Sequence, residues 1–228
     1  PSEGDMWFNS SASTVSNIST KSMATYNGTK WITMTNSFSA TGGTITTYSG
    51  YKVHTFTSSG TFAPNISGSV DILIVAGGGG GGGYFGGGGG AGGVRVIAGY
   101  TIAGGSHAIT IGAGGNAGGF SPSTRGTNGA NSSVASLYSA TGGGAGGAYG
   151  SNQVGLAGGS GGGTGKDFLV AGAAGNAGNY SPVEGYAGGS STSGSTSYQG
   201  GSGGGGASEI GEAGTNPSSA YEHSGDGG

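Results

Sequence analysis

The chain has 228 residues, a net charge of −3 and no cysteine, and 62 of its residues are glycine. Without cysteine it has no disulfide bonds, no thiol nucleophile and no cysteine-ligated zinc. Six Lys and Arg residues with no basic cluster exclude nucleic acid as an expected partner. Five prolines and no strict Gly-X-Y period exclude a collagen triple helix. No run of about 18 apolar residues is present, so we expect no membrane insertion.

The composition changes near Ala76, and this change defines the domain organisation that we expect. Seven glycines precede Gly77, and 55 lie from there to the end. The chain opens with Pro1 and has neither an initiator methionine nor a signal peptide, which indicates a piece of a longer protein. We predict a short β module, suited to forming trimers, over 1–43, a β-strand domain with a first glycine-rich insertion over 44–115, and a glycine-rich region with loop tips over 116–228.

The N-terminal module contains two short strand patterns. Residues 4–9 predict a turn that leads into a strand, and residues 25–32 predict a hairpin in which Asn27-Gly28 supplies a type I′ turn. Such a hairpin alone is marginally stable in water. We therefore expect Trp7 and Trp31 to pack either against the following domain or against copies of this chain.

Strand patterns continue through the next part of the chain, and none of them has helical periodicity. The predicted strands cover residues 51–57, 61–64, 70–75, 94–97 and 107–111. They predict an all-β fold without α-helix, in which a small β-sandwich-like domain carries the glycine block 77–93 as an insertion.

The glycine runs cannot form ordinary helices or strands, because each glycine there costs roughly 1 kcal/mol relative to alanine. Two outcomes remain: disorder, or dense lateral hydrogen bonding between extended polyglycine II rods, which have three residues per turn and no internal hydrogen bonds. Low charge argues against a solvated coil. We predict rods of about five to eight residues. Alanine and serine are expected on the outer rods and aromatic residues at the rod ends.

One internal repeat recurs at an offset of 60 residues. Residues 112–122 and 172–182 each consist of glycine and alanine followed by an aromatic residue and Ser-Pro. Because residues before proline avoid the helical region, Phe120 and Tyr180 are expected at extended tips. Recurrence at a fixed spacing is typical of a layered architecture.

The turns between rods are the candidate binding surface, because a rigid bundle presents its end loops as a fixed surface. The predicted tips are rich in Tyr, Ser, Thr and Asn, as in antibody paratopes. Alternatively, they are solvated turns whose aromatic rings cover the rod ends. The candidate receptor-binding residues are Tyr84, Phe85, Phe120, Arg125, Tyr149, Tyr180, Tyr186, Tyr198 and Tyr221.

No motif indicates an enzyme. Residues 70–82 resemble a strand leading into Gly-x-Gly-x-x-Gly, but no helix follows to receive a dinucleotide. Residues 160–167 resemble a phosphate-binding loop, but Ser160 and Asp167 replace the required residues. No carboxylate pair lies near a candidate nucleophile, and we expect neither metal nor cofactor. The histidines lie far apart in the sequence, at His54, His107 and His223.

The transition from the apolar residues 70–76 into the glycines 77–83 resembles the glycine-rich domain of bacteriophage tail-fibre and adhesin proteins. Further segments that resemble this family are 86–93, 107–115, 128–133, 139–144 and, as short β modules of phage fibres, 4–9 and 26–31. The resemblance covers most of the chain.

The resemblance implies polyglycine II rods packed in a sandwich, with distal loops that recognise the host surface. A related strand-and-glycine arrangement occurs in the ectodomain of anaplastic lymphoma kinase-type receptors, but nothing else here resembles a receptor kinase. Family members often close with an Ile-Val-Ile strand, whereas this sequence stops at Gly228. The closing strand is therefore expected in sequence outside this chain, or the molecule closes differently.

These observations and the resemblance together predict an extracellular virion protein at a tail-fibre tip. Its expected partners are a bacterial surface protein or glycan and other fibre or virion proteins. We expect a homotrimer, because fibres commonly are trimers and the N-terminal tryptophans need a partner. The alternatives are a purely structural fibre or decoration subunit and an extracellular glycine-rich filament subunit of bacterial origin.

Overall fold

The structure is a computed structural model, and it describes residues 1–16, 18, 20–34, 37–150, 153–166, 169–191, 200–214 and 227–228. Within these ranges the fold is all-β, as the sequence predicts, and none of the described segments is a helix able to cross a bilayer. The strands are β1 (Met6–Asn9), β2 (Ser22–Tyr26), β3 (Trp31–Thr33), β4 (Ala40–Thr41), β5 (Thr44–Tyr48), β6 (Tyr51–Thr55), β7 (Gly60–Pro64), β8 (Gly68–Val75), β9 (Val94–Ile102), β10 (His107–Thr110), β11 (Ser132–Val134) and β12 (Tyr138–Ala140).

The N-terminal strands β1, β2 and β3 form an antiparallel sheet in that order. The predicted hairpin is confirmed, and the Asn27 N–H donates to the Lys30 carbonyl over 3.1 Å. The predicted type I′ turn at Asn27-Gly28 is wrong, because Gly28 has a φ of +87° but Asn27 does not have a positive φ. The Asn27 side chain instead accepts from the Lys30 N–H across a four-residue loop. The Trp31 ring lies 5.8 Å from the Trp7 ring and 5.5 Å from the Tyr26 ring. The two tryptophans therefore pack against each other within this sheet.

The main β-sheet has the strand order β12-β11-β10-β7-β4, and the β8–β9 hairpin packs against β11 and β12. Alternation along β8 directs Ile72 and Ile74 to the core and leaves Leu73 and Val75 exposed. The sheet draws β4 from residues before 44 and β11 and β12 from residues after 115. The buried core residues are Ile74, Ala76, Ile109, Val134 and Ala140.

Strands β5 and β6 form a separate two-stranded ribbon whose residues are exposed apart from His54. The His54 ring packs edge-on against Phe62 of β7, with 5.1 Å between the ring centroids. Its Nδ1 lies 2.8 Å from the Gly42 carbonyl oxygen. These contacts tie the base of the ribbon to the main sheet.

The glycine-rich region is ordered as extended rods joined laterally by backbone hydrogen bonds. Rods 1 and 2 continue β8 and β9, since the hairpin register passes directly into the hydrogen bond from the Ala76 N–H to the Gly93 carbonyl. Within the described residues, the rods are rod 1 (77–83), rod 2 (86–93), rod 3 (112–119), rod 4 (124–131), rod 5 (141–148), rod 6 (153–157), rod 7 (160–166), rod 8 (170–174), rod 9 (186–191), rod 10 (200–206) and rod 11 (209–214).

Residues three apart along a rod bond the same neighbour, which is the period of polyglycine II. The amides of Gly79 and Gly82 donate to rod 2, whereas the amides of Gly77, Gly80 and Gly83 donate to rod 4. Carbonyls of rod 1 also accept from rods 3 and 5. Rod 1 is thus hydrogen-bonded to four neighbours without a strand ladder.

Glycine is required in rod 1 because the neighbouring backbones approach so closely. A Cβ on Gly79 or Gly82 would lie 2.1 or 1.9 Å from a carbonyl oxygen of rod 5. A Cβ on Gly78 or Gly81 would have 3.7 Å of clearance. Two of the three faces of the rod therefore admit no side chain.

The expectation that alanine and serine lie on the outer rods is wrong for several residues. Ala145 and Ala148 of rod 5 are fully buried, and so is a group of small residues that carry hydroxyls. Ser160, Thr164 and Ser202 are all at least 98% buried. The Ser160 hydroxyl donates to the Gly206 carbonyl over 2.9 Å, and the Thr164 and Ser202 hydroxyls lie 2.9 Å apart. Small hydroxyl side chains are accommodated inside because they find hydrogen-bond partners there.

Successive rods alternate in direction, which defines two ends of the bundle. At the base end, the rods meet the β-strands. At the opposite end, the tip, rods 1, 3, 5 and 7 finish at Tyr84–Phe85, Phe120, Tyr149 and Lys166.

Close packing of rods 1 and 5 makes a specific prediction for Gly82→Ala. The added Cβ would collide with the Gly147 carbonyl, so the free energy of unfolding should fall by about 1–3 kcal/mol. Gly81→Ala, in the same rod, is the matched control and should leave stability unchanged or raise it by up to about 1 kcal/mol. Denaturant titration of both variants measures the difference, and equal losses would contradict the rod packing.

Candidate binding surface at the rod tips

Four aromatic side chains from three separate turns meet at the tip, and we call them the tip cluster: Tyr84, Phe85, Phe120 and Tyr149. The Tyr84 ring centroid lies 4.5 Å from Phe85, 4.7 Å from Phe120 and 5.5 Å from Tyr149. The contacts with Phe120 and Tyr149 are edge-to-face, a preferred geometry for aromatic pairs. Tyr84 is therefore the centre of the cluster.

Backbone hydrogen bonds from the rods position the tip cluster. The Tyr149 N–H donates to the Tyr84 carbonyl over 3.3 Å, and the Lys166 N–H donates to the Phe85 carbonyl over 3.0 Å. Tyr84 and Phe85 both have left-handed φ values, 37° and 51°. Bulky residues adopt this region rarely, so the turn is held by the surrounding rods rather than by its own preference.

The tip cluster remains open to solvent although its rings contact one another. Phe120 is 71% exposed, and the other three rings are between 38% and 41% exposed. The Lys166 ammonium lies 4.4 Å above the Phe85 ring centroid, within cation–π distance. The result is an exposed aromatic surface with a positive charge at its margin.

Sequence reasoning did not include Lys166 among the candidate residues. The signal that could have found it is its position, since Lys166 lies at the tip end of rod 7 as Tyr84 lies at the tip end of rod 1 and Tyr149 at that of rod 5. Arg125, which was included, lies in rod 4 immediately below the tip cluster. The Thr124 carbonyl before it accepts from Gly83, the last residue of rod 1.

Tyr180 and Tyr186, which the sequence predicts at tips, lie at the base end instead. The guanidinium carbon of Arg95, on β9, lies 3.7 Å from the centroid of the Tyr180 ring. The Tyr180 hydroxyl lies 3.0 Å from the hydroxyl of Ser139, on β12. The Tyr186 N–H donates to the Gly206 carbonyl within the base of the bundle. Neither residue joins the tip cluster.

The internal repeat explains this error. Rod 3 runs toward the tip, so the first copy ends there at Phe120. Rod 8 runs toward the base, so the second copy ends at Tyr180 beside the β-strands. The Ser-Pro peptide bond is cis in both copies. Similar local sequences therefore occupy opposite ends, because rod direction rather than local pattern decides the location.

Tyr198 and Tyr221 lie outside the described residues. Among the described residues, no group of three or more His, Cys, Asp or Glu side chains could hold a metal ion.

The buried carboxylate Glu184 joins the second half of the rods to the first, a role that the sequence did not indicate. Glu184 is 1% exposed. Its oxygens accept from the Thr141 N–H over 2.8 Å and the Gly178 N–H over 3.1 Å, and its carbonyl accepts from the Val94 N–H. One residue thus accepts hydrogen bonds from backbone N–H groups at the start of rod 5, in the turn at the base end and at the start of β9.

The family model for a glycine-rich domain matches residues 55–228. The chain belongs to this glycine-rich domain family. Comparisons with curated proteins and with solved structures found no match. The glycine-rich domain begins at the last residue of β6, and it includes both β7–β12 and all of the rods. Strands and rods therefore belong to one family unit, as their shared hydrogen bonds also indicate.

A double-mutant cycle between Tyr84 and Phe120 tests the tip cluster. Their edge-to-face contact should give Tyr84→Ala and Phe120→Ala a coupling of about 0.5–1.5 kcal/mol in the free energy of unfolding. The control cycle pairs Tyr84→Ala with Tyr51→Ala on β6, for which we expect no coupling. A Tyr84–Phe120 coupling as small as the control would mean that the two rings do not pack in solution.

Proposed function

We propose that this glycine-rich domain is part of a virion appendage, a tail-fibre tip, and attaches the particle to the host-cell surface through the tip cluster. One observation carries the proposal: aromatic residues from separate turns converge on a single exposed surface at the end of a hydrogen-bonded bundle. In this proposal the domain is extracellular, and its receptor is a bacterial surface protein or glycan.

The energetics of binding support this use of the tip. Binding energy at interfaces concentrates in a few aromatic and arginine residues, and rigid aromatic anchors lose little conformational entropy. The rods hold the turns before any partner arrives, which lowers the ordering cost of association. Phe120 is the most exposed ring of the tip cluster and would be the principal anchor.

Membership of the glycine-rich domain family is consistent with this function. The resemblance of residues 70–93 to phage tail-fibre and adhesin proteins is what directs the proposal to a virion.

A structural fibre subunit is the second candidate function, and the ribbon of β5 and β6 favours it. Tyr48 and Tyr51 are exposed at its end, and Ile45 and Val53 are exposed along its strands. A two-stranded ribbon is marginally stable alone, so contacts with other copies would stabilise it. In this role the chain would assemble as a homotrimer with other fibre proteins.

Phe120→Ala distinguishes the two functions. If the tip attaches, this variant should reduce binding of the assembled appendage to host cells by at least about tenfold, the size of an interface hot spot. Tyr51→Ala is the matched control, because Tyr51 is similarly exposed, at 67%, but lies on the ribbon. It should leave cell binding unchanged.

Loss of assembly in Tyr51→Ala, with normal cell binding by assembled Phe120→Ala, would favour the structural role and contradict attachment through the tip. Exchange of the tip turns between related phages gives an independent result. Host range should follow the exchanged turns, and an unchanged host range would remove the proposal.

A further inference from the structure

Two Asn-Gly pairs occur in the chain, and the structure places them in different environments. Asn27-Gly28 lies in the loop of the β2–β3 hairpin, where both residues are exposed. Asn128-Gly129 lies in rod 4, within the hydrogen-bond network of the bundle. An Asn-Gly pair can react with itself, because the glycine nitrogen is held close to the side-chain carbonyl carbon of the asparagine and no Cβ shields it.

The reacting groups of Asn27-Gly28 are not engaged elsewhere. Among the described residues, neither the Gly28 N–H nor the Asn27 side-chain nitrogen donates a hydrogen bond. A Cβ built on Gly28 would meet no atom closer than 3.8 Å. The loop therefore has room to bring the Gly28 nitrogen onto the side-chain carbonyl carbon.

The side-chain oxygen of Asn27 is held by two backbone donors. Its Oδ1 accepts from the Thr29 N–H over 3.1 Å and from the Lys30 N–H over 2.9 Å. Negative charge develops on this oxygen when the carbonyl carbon is attacked. Backbone N–H groups aimed at such an oxygen form an oxyanion hole and stabilise the transition state. The loop thus supplies both a nucleophile and stabilisation of the developing charge.

The corresponding groups of Asn128-Gly129 are occupied. The Gly129 N–H donates to the Gly143 carbonyl over 2.9 Å, and the Asn128 Nδ2 donates to the Ala157 carbonyl over 3.2 Å. A Cβ on Gly129 would lie 2.1 Å from the Gly77 carbonyl oxygen. Because this backbone is fixed between rods, reaction here requires the bundle to open first.

We propose that Asn27 is a site of self-modification, at which the Gly28 nitrogen attacks the Asn27 side-chain carbonyl, and that the rods protect Asn128 from the same reaction. Hydroxide takes the Gly28 amide proton, the new N–C bond closes a succinimide ring, and the side-chain nitrogen takes a proton from water and leaves as ammonia. Water then opens the ring to aspartate or to isoaspartate. The reaction consumes only water, and no oxidant or reductant takes part.

The isoaspartate product should loosen the N-terminal sheet. It lengthens the main chain by one carbon within the loop that sets the pairing of Tyr26 with Trp31. Trp31 packs against Trp7 and Tyr26, so a change in this register disturbs both ring contacts. The inference is independent of the proposed function, because this sheet lies outside the family match at 55–228.

Incubation of the folded chain in mildly alkaline buffer, followed by peptide mapping with mass spectrometry, tests the site. Deamidation at Asn27 should be at least about tenfold faster than at Asn128, because the protected pair must first open. The chain in denaturant is the control, and there the two rates should be similar. A rate ratio that folding leaves unchanged, or no reaction at Asn27 in the folded chain, would overturn the proposal.

Asn27→Asp is the matched variant for the effect on the sheet. It carries the charge and the acceptor oxygen of the aspartate product on an unaltered main chain. The isoaspartate form, separated by ion exchange, should lose near-ultraviolet circular dichroism from the tryptophans, whereas Asn27→Asp should retain it. An unchanged tryptophan signal in the isoaspartate form, or an equal loss in Asn27→Asp, would overturn the proposed effect on the sheet.

Discussion

A peptide group that is buried needs a hydrogen-bond partner, and an extended glycine rod offers its own peptide groups none. The whole domain follows from this constraint. Each rod must find neighbours on three faces, and only glycine lets backbones approach closely enough to supply them, as the clearances around Gly79 and Gly82 indicate. The β8–β9 hairpin starts the arrangement, because its register passes unchanged into rods 1 and 2. The strand domain and the rod bundle therefore share one continuous set of backbone hydrogen bonds.

Side chains inside the bundle are informative because so few are admitted. Ser160, Thr164 and Ser202 bond within the lattice, and the asparagines of rod 4 cap amides of rod 5. At the base end, the Glu184 carboxylate likewise accepts hydrogen bonds from backbone N–H groups. Each polar side chain thus supplies an acceptor or donor that the backbone lattice lacks.

Local pattern was sufficient for most of the strands and for the existence of the rods. Alternation identified β8, and the Asn27-Gly28 turn identified the first hairpin, because both depend on neighbours in sequence. Strands β11 and β12 were missed because they are three residues long and lie between glycine runs. The tip was predicted in part: the sequence identified Tyr84, Phe85, Phe120 and Tyr149 as tip residues, but it could not separate them from Tyr180 and Tyr186. That separation depends on the direction of each rod, which is set by lateral bonding over long sequence distances.

Amide hydrogen exchange in the folded chain tests the central claim, that the glycine runs are an ordered lattice. The account predicts slow exchange for amides that donate between rods, such as those of Gly79, Gly82, Gly90 and Gly144, with protection comparable to that of β8. Within rod 1 the protection of Gly79 and Gly82 should disappear only with global unfolding. Fast exchange throughout residues 77–93 and 141–148 would contradict the account, because glycine rods without lateral hydrogen bonds have no means of staying folded.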